Sequence, residues 1–174
     1  IGLPSKGRLK EKSISFFNDK GLKIIQSEKE RNYFGTIENK TNVKIIFLHA
    51  KEIIQRLGDG TLDIGVSGLD LLKESEKNLQ GKINIQKKLD YGNANLVIAV
   101  PDDWIDVQTI ADLEEVSFDI RFKRNFRLRV ATKYPNLTND FLISKGVTQY
   151  KLIPSLGATE TYPFIGSSEI ITDI

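Results

Sequence analysis

Residues 128–138 read Leu-Arg-Val-Ala-Thr-Lys-Tyr-Pro-Asn-Leu-Thr, an apolar run followed by a charged turn that contains proline. The run predicts a strand over residues 128–132, and the apolar spacing after the turn predicts a helix over residues 136–145. Residues 62–77 show the same order of apolar run, Gly/Ser turn and helical pattern. Strands that alternate with helices at this spacing are typical of parallel α/β units.

Other parts of the chain continue this alternation. Apolar runs predict further strands at residues 1–4, 22–25, 32–38, 43–48, 62–68, 96–101, 151–154 and 169–172. Helical spacing predicts further helices at residues 9–20, 50–57, 70–77 and 106–115. The run at residues 96–101 is continuous and apolar, which is typical of a strand buried on both faces.

A polar, glycine-containing break at residues 90–95 divides the pattern. We therefore place a first α/β lobe at residues 1–92 and a second α/β lobe at residues 93–174. When two lobes face each other they form a cleft, and clefts are where ligands usually bind.

The composition excludes several classes of protein. With 174 residues, 40% of them hydrophobic, the chain is long enough for one domain or two small ones with a sizeable core. A formal net charge of +2 argues against a nucleic-acid binder. The absence of cysteine excludes disulfide scaffolds and Cys nucleophiles, and a single histidine excludes a multi-His metal site. Because no apolar run reaches the ~18 residues of a membrane span and the first residues lack a signal-peptide pattern, we expect a cytoplasmic location and no membrane contact.

Four turns that combine small residues with charge follow predicted strands. They are residues 4–8, 67–70, 131–135 and 155–160. In α/β folds, ligands lie beyond the carboxyl ends of strands, where backbone N–H groups and helix N-termini receive anions. Lys6, Arg8 and Lys133 would add charge-assisted bonds to phosphate. Because the turns match no Walker or dinucleotide motif, each alone is also explained as an ordinary turn with solvated charge.

Three acids and a tyrosine near these turns are further candidates. Asp70 would accept hydrogen bonds from a base or a ribose, or would only complement the dipole of a helix. Glu160 and Asp173 would help to hold Mg²⁺, which prefers oxygen ligands, although spacing alone favours surface carboxylates. Tyr134 lies inside a candidate phosphate turn, which favours base stacking or a ribose contact.

The remaining charged groups have simpler explanations. His49 follows a predicted strand and is interpreted as a structural histidine. A run of basic side chains is most simply a solvated face, with a phosphate-facing patch or a protein interface as alternatives. The run consists of Arg121, Lys123, Arg124, Arg127 and Arg129.

Several of these blocks together resemble the ATP phosphoribosyltransferase family. Residues 4–9, Pro-Ser-Lys-Gly-Arg-Leu, are similar to the opening of that family, and residues 60–72 are similar to its second block. Residues 130–138 form the most specific block, and residues 156–160 and 169–174 extend the match. The blocks follow the order of the family and span nearly the whole chain.

The resemblance implies two α/β lobes like those of a type II periplasmic binding protein, with the active site between them. It implies transfer of the phosphoribosyl group of phosphoribosyl pyrophosphate (PRPP) to N1 of the adenine of ATP, with Mg²⁺ required. The products would be N1-(5-phosphoribosyl)-ATP and pyrophosphate, in the first step of histidine biosynthesis. Because the nucleophile is a ring nitrogen of the substrate, the protein mainly orients two anionic substrates and stabilises the leaving charge, with no side-chain nucleophile.

The resemblance also implies substrate-binding roles for seven side chains. They are Lys6, Arg8, Asp70, Lys133, Tyr134, Glu160 and Asp173. The first two resemble basic residues of the family's cleft, and Asp70 resembles the acid near ATP or the product nucleotide. Glu160 matches the acid of a Gly-x-x-Glu block, and Asp173 matches the first acid of the PRPP loop.

The family continues after Asp173 into a Thr/Gly-rich turn that cups the 5-phosphate, and then into a strand and helix that return to the first lobe. Because the sequence ends before these elements and Ile1 begins inside a predicted strand, we expect the sequence to be incomplete. Even so, the chain resembles the short form of the enzyme, a catalytic subunit. That resemblance implies a regulatory subunit similar to histidyl-tRNA synthetase, joined in a hetero-octamer.

A hypothesis from another class is a two-lobed small-molecule-binding module without catalysis. Such a module would be a solute receptor or the sensing domain of a regulator, and it would share the fold. The block at residues 130–138 and the basic turns favour the enzyme, and no helix-turn-helix segment of a regulator is evident.

Overall fold

The structure is a computed structural model that describes residues 1–26 and 33–174. It is a mixed α/β fold with two four-stranded sheets, and the chain divides into two units at residues 1–93 and 94–174. Within the described ranges, none of the helices has the length and apolar character that crossing a membrane requires.

In the first unit, the described residues form four strands and four helices. They are β1 (Gly2–Pro4), α1 (Gly7–Asp19), β2 (Ile24–Gln26), β3 (Phe34–Ile37), β4 (Lys40–Leu48), α2 (Ala50–Gly58), α3 (Leu69–Glu74) and α4 (Lys77–Gln80). The sheet has the order β1-β4-β3-β2, in which β1 and β4 are parallel and the other pairs are antiparallel.

The core of the first unit forms because β4 places alternate side chains on one face of the sheet. Ile45 and Phe47 of β4 are almost completely buried beside Leu3 of β1. Helix α2 adds Ile53 and Ile54, which lie next to each other on its buried face. This packing fixes the carboxyl ends of β1 and β4 at one edge of the sheet.

Two predictions for the first unit are wrong. Residues 62–68 do not form a strand, because only one isolated bridge joins Gly65 to Gly2 of β1. A Cβ at Gly65 would lie 2.5 Å from a side-chain carbon of Ile53, so the backbone approaches α2 too closely for a residue with a side chain. The predicted helix at residues 70–77 is two short helices, since the backbone of Ser75 is extended between them. Of the strand predicted at residues 32–38, residue 32 lies outside the described residues.

The second unit contains a mainly parallel sheet and two long helices. Its elements are β5 (Val97–Ala99), α5 (Ile110–Arg124), β6 (Leu128–Thr132), α6 (Pro135–Ser144), β7 (Tyr150–Pro154), a 3₁₀ turn (Thr159–Thr161) and β8 (Ile170–Asp173). The sheet has the order β5-β8-β6-β7, in which β6 is parallel to both neighbours and β5 is antiparallel to β8.

The helices of this unit begin at residues whose chemistry favours a helix start. Thr109 and Asp112 form a capping box, in which the Asp112 carboxylate accepts from the Thr109 backbone N–H at 2.7 Å. Helix α5 therefore begins later than the predicted 106–115 and continues beyond it to Arg124, after which Asn125 caps the helix with a φ of +58°. Helix α6 begins with Pro135, where the missing N–H costs no helical hydrogen bond. The strand and helix predicted around residues 128–145 are thus confirmed.

The prediction that residues 96–101 form a strand buried on both faces is wrong. β5 is short, lies at the edge of the sheet and pairs only with β8, and Val97 is 54% exposed. The apolar run instead lines an open cavity of about 500 Å³ together with Leu137 and Phe141 of α6. Ile98 and Val100 of the run also pack against the core of the unit, so continuous hydrophobicity does not here indicate a central strand.

Candidate functional site

In the first unit, the turns after β1, after β4 and before α3 meet at the carboxyl edge of the sheet. The backbone N–H of Ser5, which follows β1, donates to the carbonyl of Leu48 at the end of β4 at 2.8 Å. The hydroxyl of Ser67 donates to the carbonyl of Ala50 at the start of α2 at 2.7 Å. The candidate turns at residues 4–8 and 67–70 are therefore held at the same edge of one sheet, as expected for ligand-binding turns of an α/β fold.

Lys6 and Arg8 lie at the start of α1, and both are exposed. Lys6 is the N-cap residue of this 13-residue helix, and Gly7 adopts a φ of +66° that allows the turn into it. The two cations therefore flank a helix N-terminus, whose backbone N–H groups carry partial positive charge. The arrangement presents positive charge to solvent at the carboxyl edge.

Asp70 lies in the first turn of α3 and is half-buried. Its Oδ1 atom lies so close to Gly68 that a Cβ at residue 68 would collide with it, which shows that the carboxylate folds back over Gly68. Gly68 also lines a cavity of about 230 Å³ in the first unit, so the carboxylate lies next to that cavity. Both interpretations of Asp70 from the sequence, helix-dipole partner and ligand acceptor, fit this position.

The same cavity includes residues that the sequence interpretation did not single out. Lys87, Lys88 and Tyr91 line it, and the Tyr91 hydroxyl donates to Ser13 Oγ at 3.2 Å. The signal in the sequence was a pair of lysines just before the polar break at residues 90–95. These side chains add two cations and an aromatic ring to the wall beside Gly68.

In the second unit, the structure brings Lys133 and Asp173 together. β6 and β8 are parallel neighbours in which Thr132 pairs with Thr172. The residues that follow this pair, Lys133 and Asp173, therefore lie at the same carboxyl edge of the sheet. The Lys133 Nζ atom lies 3.3 Å from the Asp173 Oδ2 atom, and their side chains are 36% and 29% exposed. The ion pair therefore sits at the surface with ligand access to both charges.

Tyr134 is the N-cap residue of α6 and is half-buried. Its backbone N–H donates to the Thr132 hydroxyl at 2.9 Å, which closes the turn between β6 and α6. The first helical turn, residues 135–138, is uncharged, so Lys133 is the side-chain charge nearest to the positive end of α6 in the sequence.

Glu160 lies on the loop after β7 and is exposed within the 3₁₀ turn. A hydrogen bond between the buried hydroxyls of Ser155 and Thr159, which lie 2.9 Å apart, holds the loop in place. Ala158 has a φ of +47°, a conformation that is uncommon for a residue with a Cβ. The loop follows β7 at the carboxyl edge of the same sheet as Lys133 and Asp173.

The carboxylates of the described residues do not form a metal site by themselves. In residues 1–26 and 33–174, His, Asp and Glu side chains nowhere gather in a group of three or more that could hold an ion. Asp173 is already engaged by Lys133, and Glu160 is exposed. These oxygens fit Mg²⁺ only as single ligands that complement substrate phosphates and water, which is a common mode for this ion.

The basic run from the sequence divides into two parts. Arg121, Lys123 and Arg124 are exposed in the last turn of α5, where they complement the helix dipole, and Arg127 is exposed after the helix. Arg129 is different, because its guanidinium bonds both carboxylate oxygens of Glu169 and its pKa is raised, mainly by these hydrogen bonds. The Glu169 carboxylate also accepts from the Arg129 backbone N–H at 2.7 Å, so the pair joins β6 to the residue before β8.

His49 caps a helix. Its Nδ1 atom accepts from the Lys51 backbone N–H at 3.3 Å at the start of α2. This position agrees with the interpretation of His49 as a structural residue.

The comparisons with known proteins cover most or all of the chain. The family model described as HisG, ATP phosphoribosyltransferase, matches residues 49–174. The ATP phosphoribosyltransferase of Nitrobacter winogradskyi is 45% identical over 174 residues, which are all of this chain and 54% of the relative. That of Brucella melitensis is 43% identical over 175 residues, and the chain covers 76% of it. The chain therefore spans about half the length of one relative and three quarters of the other.

A solved structure is also similar. It is described as the ATP phosphoribosyl transferase (HisG:HisZ) complex from Thermotoga maritima, and it covers 99% of this chain with a TM-score of 0.65. The chain covers 71% of that protein at 23% sequence identity. At this identity the match supports the fold.

Proposed function

The chain belongs to the ATP phosphoribosyltransferase family, and we propose that the protein transfers the phosphoribosyl group of PRPP to N1 of the adenine of ATP. The products are N1-(5-phosphoribosyl)-ATP and pyrophosphate, in the first step of histidine biosynthesis. The observation that carries the proposal is the placement of Lys133 and Asp173 at one edge of the sheet, which brings together two of the blocks that resemble the family, residues 130–138 and 169–174. A binding module without catalysis is not favoured.

The proposed reaction needs no nucleophile from the protein. The lone pair of adenine N1 forms a bond to C1 of the ribose, while the bond from C1 to the pyrophosphate oxygen breaks and its electrons leave with pyrophosphate. Positive charge develops at C1 and negative charge on the leaving group, so the side chains act by orientation and by electrostatic stabilisation. A chain without cysteine and with one histidine, used as a helix cap, is suited to this chemistry.

In the second unit, we assign Lys133 to a substrate phosphate and Asp173 to the PRPP site. A lysine ammonium beside a helix N-terminus gives charge-assisted hydrogen bonds to phosphate oxygens. Tyr134, at the cap of α6, is assigned to stacking on a base or to a ribose contact. Glu160, on the loop after β7, is assigned to the same substrate region.

In the first unit, we assign Asp70 to the adenine nucleotide and Lys6 and Arg8 to anionic groups. The Asp70 carboxylate can accept hydrogen bonds from a ribose hydroxyl or a base amine beside the cavity that Gly68 lines. The two cations at the start of α1 supply positive charge at the same edge of the sheet.

We propose Mg²⁺ as the cofactor, bound with the substrates rather than by the protein alone. Glu160 or Asp173 would each supply one oxygen, and substrate phosphates and water would complete the coordination. When bound, Mg²⁺ neutralises phosphate charge, which favours the departure of pyrophosphate.

We also propose the finer architecture and the assembly. The two units correspond to the lobes of a type II periplasmic-binding-protein-like fold, and the protein is a short-form catalytic subunit of the cytoplasm. Its partner is a regulatory subunit similar to histidyl-tRNA synthetase, in a hetero-octamer. The support is the similarity to a Thermotoga protein whose solved structure is described as a HisG:HisZ complex.

The test is formation of phosphoribosyl-ATP from ATP and PRPP, followed by ultraviolet absorbance, with and without the regulatory subunit. We expect product only when both substrates and Mg²⁺ are present. Absence of product in both preparations would overturn the proposed activity. Light scattering of the mixture tests the assembly separately, since an unchanged mass on mixing would contradict the partner.

A further inference from the structure

Beneath the Lys133–Asp173 pair, three threonine hydroxyls form a buried chain. Thr138 Oγ1 lies 3.1 Å from Thr132 Oγ1 and 2.7 Å from Thr172 Oγ1. Each of the three residues is only 1% exposed. The chain continues to the backbone, because the Tyr134 N–H donates to Thr132 Oγ1 at 2.9 Å. Four polar groups from β6, the turn, α6 and β8 are thus joined in series.

This chain connects the residues next to the ion pair. Thr132 precedes Lys133, and Thr172 precedes Asp173, so each end of the hydroxyl chain adjoins one charged residue. The two threonines are also paired in the sheet register, and Thr138 of α6 reaches both of them. The turn is therefore tied to β8 twice, by an exposed ion pair at the surface and by a buried hydrogen-bond chain below it.

Packing alone does not explain hydroxyl groups at these positions. The neighbouring core of the unit is apolar, with Val130 and Ile170 completely buried on the same two strands. Valine has nearly the shape of threonine and would fill the space without a buried polar atom to satisfy. Hydrogen bonds, unlike apolar contacts, specify direction, and a fully satisfied buried network fixes one arrangement of the groups it joins.

We propose that Thr132, Thr138 and Thr172 are positioning residues that hold Lys133 and the start of α6 in register with Asp173, an inference that rests on the proposed function. Without the chain, the link between the side chains of Lys133 and Asp173 would be an ion pair for which solvent and substrate phosphates compete. A small misplacement of a phosphate-binding group lowers the reaction rate far more than it lowers stability. A displacement of about 1 Å costs up to about 100-fold in rate.

The test compares Thr138→Val with Thr138→Ser in the full chain. We expect Thr138→Val to lower kcat by about tenfold and to raise the KM for PRPP more than the KM for ATP, as expected for a small misplacement. Thr138→Ser keeps the hydroxyl and should restore most of kcat. Ser117→Ala is the matched control, because it removes a buried hydroxyl of the same unit that donates to the Glu114 carbonyl within α5.

A double-mutant cycle separates positioning from stability. If Thr138 acts through the turn, Thr138→Val should change kcat by less than about twofold when Lys133 is already alanine. Additive losses in the cycle, or a lowered Tm with unchanged kcat and KM, would overturn the inference. Should Thr138→Val not fold, Thr172→Val cuts the chain at its other end and is read in the same way.

The controls also distinguish this inference from the proposed function. An inactive wild-type protein overturns the transferase activity and the positioning role together. An active wild type with fully active Thr138→Val and Thr172→Val variants overturns only the positioning role.

Discussion

Lys133 and Asp173 lie 40 residues apart in the sequence, yet their side chains form an ion pair of 3.3 Å where β6 and β8 end side by side. Each was singled out from the sequence by its own local block. The parallel register of the two strands, with Thr132 opposite Thr172, is what brings them together. Two candidates that were identified separately in the sequence therefore lie side by side at one edge of the sheet.

Lys133→Ala tests the cation of this pair. We expect turnover to fall by about 100-fold and binding of PRPP to weaken, because one charge-assisted contact to phosphate is lost. Steady-state kinetics and calorimetric titration with PRPP measure the two effects. Lys151→Ala removes an exposed lysine of the neighbouring strand β7 and should leave both unchanged. A Lys133→Ala variant with wild-type rates would remove this residue from the site.

Asp70→Asn tests the assignment of the nucleotide. We expect the KM for ATP to rise by about tenfold with little change in PRPP affinity, since the carboxylate is assigned to the base or ribose of ATP. The matched control is Asp63→Asn, an exposed acid of the same unit. Equal effects on ATP and PRPP would contradict the assignment.

His49→Gln tests whether the single histidine takes part in catalysis. Because the imidazole accepts from the Lys51 N–H as a helix cap, we expect near wild-type activity and a loss of about 1 kcal/mol in the free energy of unfolding. Urea unfolding and the phosphoribosyl-ATP assay measure the two quantities. A large loss of activity in a folded variant would show that His49 belongs to the site.

Glu169→Gln tests the Arg129–Glu169 pair as a structural link. The carboxylate bonds both the guanidinium and the backbone of Arg129, and its side chain is 11% exposed. Removing its charge leaves the guanidinium poorly paired, so we expect a loss of about 2 kcal/mol in the free energy of unfolding. Combining it with Arg129→Met should recover part of that loss; a double variant as unstable as the sum of the single ones would argue against a coupled pair.

Asp112 gives an expected pH dependence. Hydrogen bonds from the Thr109 side chain and from the Thr109 and Gln108 backbones lower the pKa of its carboxyl below the ordinary value of 3.8. A lowered pKa in the folded state means that its contribution to stability is present above pH 3.8 and is lost as the pH falls through the lowered value. The difference in Tm between wild type and Asp112→Asn should therefore shrink on acidification below pH 3.8. A difference independent of pH would contradict the capping role of the carboxylate.

Local patterns predicted the elements that carry the candidate site. The strand and helix around residues 128–145 are confirmed, because an apolar run, a proline at a helix start and a glycine after the helix are signals carried by neighbouring residues. The helix at residues 50–57 is confirmed for the same reason. These signals placed Lys133 and Tyr134 at the junction of a strand and a helix.

Pairing between distant segments could not be predicted in this way. The run at residues 96–101 indicates apolar surroundings, but only the strand order shows that β5 lies at an edge. Residues 62–68 have the hydrophobicity of a strand, yet their backbone makes a single bridge beside Gly2. The hydroxyl chain was missed because Thr132 and Thr172 resemble ordinary strand residues until Thr138 is placed between them.

Among the described residues, each sheet takes its strands from one part of the chain, the first sheet from residues 2–48 and the second from residues 97–173. During synthesis, the four strands of the first sheet can pair before the ribosome has made residue 94. The pairing of β8 with β6 must wait until nearly all of the described chain has emerged. Lys133 and Asp173 can therefore meet only after residue 173 has been made, and a nascent chain that ends before that residue lacks the ion pair.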